Sequence, residues 1–346
     1  MNAPSQPSPN QTPGQTPGQT PTPEHIDTAA ERIAGHATRT PLVEAAPLSQ
    51  RCGSTVFIKA EHRQRTGSFK LRGALNKTFG LSDDDATSGV ITASSGNHGI
   101  GVATAAAARG VPCTVYLPSG ASPSKVNAIG RLGATIVTVD DTDTAVAEVE
   151  ARAAAAAKQV TYISPYNDPQ IVAGQGTIGL EIAADWPTLD RGDLDAVVVA
   201  VGGGGLISGI ATWLKHHLPE TLIIGASPQN DQAMAASVAA GEIIEPPADP
   251  TFSDGTAGAV EAGSITFDIC AALVDHWMPI TETDIAAAVT NMIDDQHELV
   301  EGAAGVALAA AEQYGAQHPE SNIVVVSCGA NVSSAALRAM LAASQG

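Results

Sequence analysis

Short β-branched runs alternate with alanine-rich stretches along the chain from about His25 onward. Runs such as 55–59 and 196–201 have the composition and length of buried strands, whereas stretches such as 144–158 repeat apolar residues at helical spacing. This alternation predicts an α/β protein with mostly parallel sheets. The predicted strands are 55–59, 89–92, 113–117, 135–139, 196–201, 222–226 and 323–327, and the predicted helices are 99–109, 124–132, 144–158, 206–217 and 285–295.

The same pattern indicates how the chain is divided. Residues 1–23 carry seven prolines, a near-repeat of Gln-Thr-Pro-Gly and no charged side chain. Such a stretch cannot bury enough apolar surface to fold by itself, so we expect a disordered tail. The strand–helix units of residues 89–161 lie between two loop-rich regions, which predicts a small domain inserted into a larger one formed by residues 24–88 and 162–346.

Composition narrows the classes of function. Of the 346 residues, 44% are hydrophobic and 15% are charged, which is enough apolar material for a large core. Seventeen basic and 36 acidic residues give a net charge of −19, which disfavours nucleic acid and anionic membranes as partners. We expect neither a membrane span nor a signal peptide. The four cysteines are far apart and form no metal-type pair, which favours a reducing cytoplasm.

Four consecutive glycines, Gly202 to Gly205, separate a predicted strand from a predicted helix. This arrangement points backbone N–H groups at an anion, and glycine permits both a positive φ and a close approach. The spacing fits neither the dinucleotide fingerprint nor the P-loop. The loop therefore indicates a phosphate site without naming the ligand, and a flexible turn is the alternative.

Lys70 stands in a second unusual stretch, next to Phe69 and among small residues. A lysine is ordinarily solvated. It becomes a Schiff-base nucleophile only where burial or a neighbouring charge lowers its pKa. The sequence leaves both interpretations of Lys70 open.

A third stretch, residues 94–99, repeats the passage from strand to helix. Ser94, Ser95 and Asn97 would offer hydroxyl and amide donors at the start of the helix, which suits a carboxylate or phenolate oxygen. An ordinary helix cap is the alternative. His98 could act as a ligand or a base, although a lone histidine is more often structural.

Together these stretches resemble the fold-type II pyridoxal-phosphate enzymes, and most closely their threonine/serine dehydratase and serine racemase branch. The resemblance covers nearly all of the chain beyond the tail and keeps the family order. It implies two open, twisted, mostly parallel sheets flanked by helices, as in the tryptophan synthase β-subunit, with pyridoxal 5′-phosphate between a large and a small domain. The matching blocks are 40–42 (TPL), 67–74 (GSFKLRGA), 94–99 (SSGNHG), 173–177 (AGQGT), 202–206 (GGGGL) and 328–331 (CGAN).

The resemblance assigns residues to the cofactor. Lys70 would form the Schiff base, Phe69 would lie against the ring, and Asn97 would bind its phenolic oxygen. Cys328 would contact the pyridine nitrogen. As a neutral partner it would leave that nitrogen unprotonated and favour β-elimination over transamination, whereas an inert core thiol is the alternative. The residues implied for the phosphate are Gly202, Gly203, Gly204, Gly205 and Leu206.

The resemblance also assigns residues to the substrate. Lys70 would act as the base on the α-carbon, and Ser95 would lie on the opposite face of the cofactor. Glu301 falls where the family has a glutamate near the ring, and Thr177 would help to shape the pocket. The residues implied for substrate binding are Ser94, Asn97, His98 and Gln175.

The implied reaction is α,β-elimination from a β-hydroxy L-amino acid, which gives a 2-oxo acid and ammonia. Threonine, serine, 3-hydroxyaspartate and phenylserine all fit this chemistry, and the segment 254–259 is expected to select among them. We expect a homodimer or a homotetramer, as in relatives.

Two departures separate the chain from racemases of the family. Ser227 stands where those enzymes have a glutamate for Mg²⁺ or Ca²⁺, so we expect no divalent metal. Their substrate-binding arginine is not evident near 142–144. A racemase or a β-replacement enzyme is the alternative reaction, and a non-catalytic ligand-binding relative is the third hypothesis.

Overall fold

The computed structural model describes residues 20–344. Most of the predicted tail, residues 1–19, lies outside the described part of the chain. The first helix begins at Pro23, immediately after Thr22, whose side chain and backbone form a capping box with His25. None of the helices within residues 20–344 combines the length and the hydropathy that a bilayer-spanning segment needs.

Residues 20–344 contain ten strands and fourteen α-helices, which largely alternate along the chain. The strands are β1 Leu42–Glu44, β2 Thr55–Lys59, β3 Val90–Ala93, β4 Cys113–Pro118, β5 Thr135–Val139, β6 Thr161–Tyr162, β7 Ala196–Ala200, β8 Leu222–Pro228, β9 His276–Ile280 and β10 Asn322–Val326 within the described residues. The helices there are α1 Pro23–Ile33, α2 Ala46–Cys52, α3 Lys70–Phe79, α4 Asp83–Ser88, α5 Asn97–Arg109, α6 Pro123–Arg131, α7 Thr144–Lys158, α8 Pro169–Asp185, α9 Gly205–His217, α10 Ala233–Ala240, α11 Ile265–Leu273, α12 Glu282–Gln296, α13 Gly302–Gln317 and α14 Ser334–Ala343.

The strands form two sheets, as the sequence predicts. The larger sheet has the order β1-β2-β10-β7-β8-β9, and all of its pairs are parallel except β1 with β2. The smaller sheet has the order β5-β4-β3-β6 and is entirely parallel. Helices cover the faces of both sheets, so central strands such as β7 are buried along their whole length. We propose that the smaller sheet and its helices form the small domain of residues 89–161.

The predicted elements agree with the structure where the sequence pattern is strong. The bounds of β2, β5 and α7 are those predicted, and the other predicted elements differ by a few residues at their ends. The sequence analysis missed α8 and α13, which are buried nearly all round and so lack a polar face. The predicted ranges also do not include the strands β1, β6 and β9 or the helices α1, α2, α3, α4, α10, α11 and α14.

Glycine contacts bring α3, α8 and α9 close together. A Cβ added to Gly174 of α8 would lie 2.6 Å from Cα of Gly73 in α3, and one added to Gly209 of α9 would lie 2.5 Å from N of Gly176 in α8. Real Cβ atoms do not approach backbone so closely, so a larger residue would push the helices apart. The three helices therefore have a fixed relative position that depends on these glycines.

We predict that Gly209→Ala destabilises the protein by about 1–3 kcal/mol, because the added methyl overpacks the contact between α8 and α9. Gly130→Ala is the matched control, since its Cβ would meet only Ile136 at 3.5 Å on an exposed helix surface. That variant should gain about 0.5–1 kcal/mol from the helix propensity of alanine. Denaturant unfolding measures both, and equal stability of the two variants would contradict the prediction.

Candidate active site

The ends of several elements converge on one cleft. The smaller sheet contributes the turn after β3, where α5 begins, and the larger sheet contributes the turns after β7 and β10. The carboxyl ends of parallel strands are the usual place for ligands in such sheets. The first turn of α3, which carries Lys70, completes this group of loops.

Lys70 is the first residue of α3, and its side chain is half-buried. Nζ donates a hydrogen bond to the Pro165 carbonyl at 2.9 Å and lies 5.2 Å from the centre of the Phe69 ring. Burial lowers the pKa of Lys70 to about 8, and the nearby Cys328 and Glu301 only partly oppose this shift. Lys70 is therefore not an ordinary solvated lysine.

The glycine loop is tightly packed. Gly204 has φ +82° and is the N-cap of α9. A Cβ on Gly203 would lie 2.4 Å from the Tyr166 ring, and one on Gly202 would lie 2.6 Å from the Thr256 carbonyl oxygen. Neighbouring protein segments therefore leave no room for side chains at these positions. The sequence could not show this reason for the glycines. This packing argues against the flexible-turn interpretation.

The N-terminus of α9 remains available to a ligand. Among the residues that the structure describes, no side chain caps this end of the helix. The first N–H groups of a helix have no intrahelical partner, and with the helix dipole they favour an anion. Gly204, Gly205 and Leu206 stand at this end, and Leu206 itself is buried.

Asn97, which is half-buried, belongs to a polar cluster at the start of α5 that also contains the buried Glu301 and the exposed Asn331. Its Nδ2 donates to Glu301 Oε1 at 2.8 Å, and its Oδ1 accepts from Asn331 Nδ2 at 2.7 Å. Glu301 Oε2 also accepts from the Asn331 backbone N–H at 3.1 Å. Burial raises the pKa of Glu301 to about 7, with the charge of Asp254 adding to the effect and the bond from Asn97 opposing it. Nδ2 of Asn97 keeps a second hydrogen for another acceptor.

Cys328 directly follows the end region of β10 and is 3% exposed. Its carbonyl accepts from the Phe69 N–H at 3.1 Å, and an isolated antiparallel bridge joins Ser68 to Gly329. The segment with the thiol is thus fastened to the segment that enters α3. Burial raises the pKa of the Cys328 thiol well above its ordinary value, and the charge of Glu301 adds to the effect. The thiol is therefore neutral at physiological pH.

Two members of the serine–asparagine turn are engaged within the protein. Ser94 Oγ accepts from the Gly96 N–H at 3.1 Å, which is a local serine turn before the helix and not a helix cap, because Gly96 is itself the N-cap of α5. His98 is 3% exposed, and its Nε2 donates to the Ile163 carbonyl at 3.1 Å. Burial, together with the charge of Lys70, lowers the pKa of His98 to about 3. His98 is thus a neutral hydrogen-bond donor here, and its contact with a substrate carboxylate, like that of Ser94, stays a prediction.

Gln175 and Thr177 lie on α8 and face α3. Gln175 is 1% exposed, and its Oε1 accepts from the Gly73 N–H at 3.1 Å. Thr177 Oγ1 accepts from Arg72 at 3.1 Å and donates to the Gly174 carbonyl. Both side chains support the first turns of α3 from behind, and the predicted contact of Gln175 with substrate stays a prediction.

Sequence reasoning missed several residues that shape the cleft. Tyr166 packs beside the glycine loop, and its hydroxyl accepts from the Glu261 N–H at 2.8 Å. Thr256 supplies the backbone on the other side of that loop, and Asn331 bridges Asn97 and Glu301. Asn331 stood in a matching block without an assigned role. Tyr166 and Thr256 carry no local signal, because only the folded chain brings them to the glycines.

Comparison with known proteins identifies the family. The family model described as "Pyridoxal-phosphate dependent enzyme" matches residues 33–329. The chain belongs to this family. It is 37% identical to the L-threonine ammonia-lyase of Thermotoga maritima over 293 residues, which are 84% of this chain and 70% of that protein.

Solved structures of the family have the same fold. The processed threonine deaminase isoform 2 of Solanum lycopersicum superposes with a TM-score of 0.86 at 33% identity, covering 96% of this chain and 99% of that one. The serine racemase of Dictyostelium discoideum superposes with a TM-score of 0.82 at 31% identity, covering 91% and 100% respectively. The fold-type II architecture predicted from the sequence is confirmed.

The residues in the cleft fit pyridoxal phosphate. An amine of lowered pKa, an uncapped helix N-terminus and a neutral thiol are the groups that its aldehyde, phosphate and pyridine nitrogen require. Ser68 precedes Phe69 in sequence, and Ser327 precedes Cys328. Both serines are fully buried, and within the described part of the chain their hydroxyls have no hydrogen-bond partner. Within residues 20–344, no three His, Cys, Asp or Glu side chains cluster as metal ligands. The expectation of no divalent metal stays a prediction.

The lowered pKa of Lys70 predicts a pH profile for its reactivity in the apoprotein. Below about pH 8 the amine is protonated and unreactive, so labelling should rise about tenfold per pH unit and level off above that value. Competitive acetylation followed by peptide mass spectrometry measures the profile. A free lysine peptide, whose pKa is about 10.4, is the control. A Lys70 midpoint near that of the peptide would contradict the lowered pKa of the amine.

Proposed function

We propose that the protein is a pyridoxal-phosphate-dependent dehydratase that converts a β-hydroxy L-amino acid into a 2-oxo acid and ammonia. The observation that carries the proposal is the position of Lys70, whose amine of lowered pKa shares a cleft with the N-terminus of α9 and with a neutral thiol. The named activities of the Thermotoga and Solanum relatives, threonine ammonia-lyase and threonine deaminase, support it.

Lys70 would hold the cofactor and then move the substrate α-proton. Bound pyridoxal phosphate supplies the conjugated ring that accepts the electron pair of the breaking bond. A base whose pKa lies near 8 has a substantial neutral fraction at physiological pH and still accepts a proton readily. The Pro165 carbonyl, 2.9 Å from Nζ, orients the amine. Phe69, beside Lys70, would lie against the ring.

The remaining assigned residues would bind and orient. The glycine loop and Leu206 would hold the phosphate at the start of α9, and Asn97 would give its second Nδ2 hydrogen to the phenolic oxygen. Ser94, Asn97, His98 and Gln175 would surround the substrate carboxylate, and Ser95 would stand on the face opposite Lys70. The half-buried position of Ser95 at the turn before α5 is compatible with this role.

Cys328 favours elimination over transamination. Because burial keeps the pKa of the thiol high, Cys328 brings no negative charge to the pyridine nitrogen. Such a neutral partner would leave the ring nitrogen unprotonated and the ring a weaker electron sink, which would favour loss of the β-hydroxyl over transamination.

Racemisation is the second candidate, because a serine racemase shares the fold. Two observations favour the lyase. Ser227, at the position of the racemase metal ligand, is buried and donates to the Val201 carbonyl at 3.1 Å. The carboxylate of Asp231, four residues after Ser227, accepts a hydrogen bond from the Gly258 N–H at 2.8 Å and so holds the segment 254–259. We propose that this segment selects the substrate side chain.

Assembly and location complete the proposal. We expect a homodimer or a homotetramer that binds a small amino acid as its substrate and neither nucleic acid nor membrane. All four cysteines are free and buried, which supports the cytoplasm as the location.

The proposal predicts that L-threonine or L-serine yields stoichiometric 2-oxo acid and ammonia with the purified protein and pyridoxal phosphate. Lys70→Ala should lose at least about 10²-fold in turnover, because both the cofactor link and the base disappear. Lys158→Ala, an exposed lysine at the end of α7, is the control and should retain activity. Chiral analysis for D-amino acid tests the racemase, and 2-oxo acid formation that survives in Lys70→Ala would reject the mechanism.

Substitution of Cys328 tests the role of the neutral partner. Cys328→Ser keeps an uncharged side chain and should retain elimination. Cys328→Asp should lower elimination by about 10²-fold, the scale on which a wrongly placed electrostatic partner acts, and should increase conversion of the cofactor to its aminated form. Product assay and cofactor chromatography measure the two outcomes. Equal partition in both variants would contradict the role given to the thiol.

A further inference from the structure

A fully buried network of four charged side chains lies beside the first turn of α3. Its members are Lys59, Glu61, Arg72 and Glu181, which we call the charge network. Lys59, Glu61 and Arg72 are at most 1% exposed, and Glu181 is 8% exposed. Two cations and two anions balance one another. None of the four has a role in the reaction proposed above.

Arg72 is the centre of the charge network. Its guanidinium bonds both oxygens of Glu61, at 2.8 and 2.9 Å, and both oxygens of Glu181, at 2.7 and 2.9 Å. The remaining partners are Thr177 Oγ1 at 3.1 Å, the Thr38 carbonyl at 3.2 Å and Thr40 Oγ1 at 3.5 Å. All five guanidinium hydrogens therefore have acceptors, in the paired geometry that a lysine could not reproduce.

The other cation extends the charge network to two more segments. Lys59 Nζ donates to Glu181 Oε2 at 2.6 Å and to the Thr40 carbonyl at 2.7 Å, and the Thr40 hydroxyl donates to Glu61. The charge network thus ties α3 to α8, to the end of β2 and to the segment before β1. Thr40 and Thr177 belong to the matching blocks, and both have a structural role in the charge network.

Arg72 and Glu181 keep their charges at neutral pH. Burial tends to lower the pKa of Arg72, but the charges and hydrogen bonds of Glu61 and Glu181 outweigh it and raise that pKa. Burial tends to raise the pKa of Glu181, but Arg72 and Lys59 outweigh it and lower that pKa. A buried ion network adds little stability over well-packed apolar residues, because desolvation offsets the attraction. Its value lies in the fixed geometry that its hydrogen bonds impose.

That geometry bears on Lys70. Successive helical residues turn by about 100°, so the side chains of Lys70 and Arg72, two residues apart, leave α3 on nearly opposite sides. No side chain within residues 20–344 caps the start of α3. The charge network therefore binds one side of the first turn of α3, and Lys70 projects into the cleft from the other side. Gln175 binds the backbone of Gly73, the residue after Arg72.

We propose that the charge network is a positioning device for Lys70, with Arg72 as its central positioning residue. It fixes the first turn of α3 so that the amine meets the cofactor aldehyde and the substrate α-carbon in one orientation. The inference rests on the proposed role of Lys70 as the cofactor lysine. Loosening the charge network should slow the reactions of Lys70 more than it weakens substrate binding.

The test compares Glu61→Gln, which removes a charge that pairs with Arg72 of α3, with a control at the other end of α3. Lys77 in the last turns of α3 pairs with Asp168 of the α8 N-cap at 2.7 Å, also buried, so Lys77→Gln breaks an α3–α8 ion pair about two helical turns along α3 from Lys70. The first readout is the rate at which pyridoxal phosphate and borohydride label Lys70 in the folded apoprotein. The second readout is kcat against KM for the 2-oxo acid reaction.

We expect Glu61→Gln to lower the labelling rate of Lys70 and kcat by about tenfold each with little change in KM, and Lys77→Gln to leave both rates unchanged even where it lowers Tm. Wild-type rates of labelling and turnover in Glu61→Gln would overturn the proposal, as would an equal loss in both variants. Should Glu61→Gln fail to fold, Thr40→Val decides in the same way, because it removes only the hydroxyl that donates to Glu61.

The two proposals fail in different ways. Labelling requires no substrate, so it reports on the charge network whether or not the protein is a lyase. A wild-type protein whose Lys70 is labelled but which forms no 2-oxo acid would reject the proposed reaction, and the labelling comparison of Glu61→Gln with Lys77→Gln would still decide the role of the charge network.

Discussion

The close packing of α3, α8 and α9 is the constraint on which the site depends. Gly73 against Gly174, and Gly176 against Gly209, let backbone meet backbone with no side chain between. Two of these helices begin at the cleft, α3 with Lys70 and α9 with Gly205. The contacts through α8 therefore fix the distance between the amine and the anion-binding end of α9, which a phosphate-bearing aldehyde has to span.

Electrostatics in the cleft follow from burial rather than from charge density. The chain carries a net charge of −19, yet desolvation lowers the pKa of Lys70 and raises those of Glu301 and Cys328. All three shifts favour the neutral form of the group. Desolvation thus weakens the charges of the groups in the site although the protein as a whole is acidic, which suits a reaction whose developing negative charge belongs on the cofactor ring.

The matching blocks contain more residues than the cleft does, because they also include residues that hold the helices around it. In the block 67–74, Lys70 faces the cleft, while Arg72 and Gly73 face α8. In the block 173–177, Gln175 and Thr177 serve α3 rather than open space. A block that resembles an active-site motif therefore combines residues that react with residues that hold them, and the sequence alone does not separate the two groups.

The sequence by itself determined the alternation of strands and helices, the glycine loop and the candidate lysine, because buried strands, tight turns and helix starts each impose a local composition. It did not reveal α8, whose burial on all sides removes the polar face that local patterns detect. Only the tertiary structure paired Arg72 with Glu61 and Glu181, eleven and 109 residues away in the chain. It alone decided the pKa of Lys70 as well, because desolvation is the sum of atoms from many distant segments.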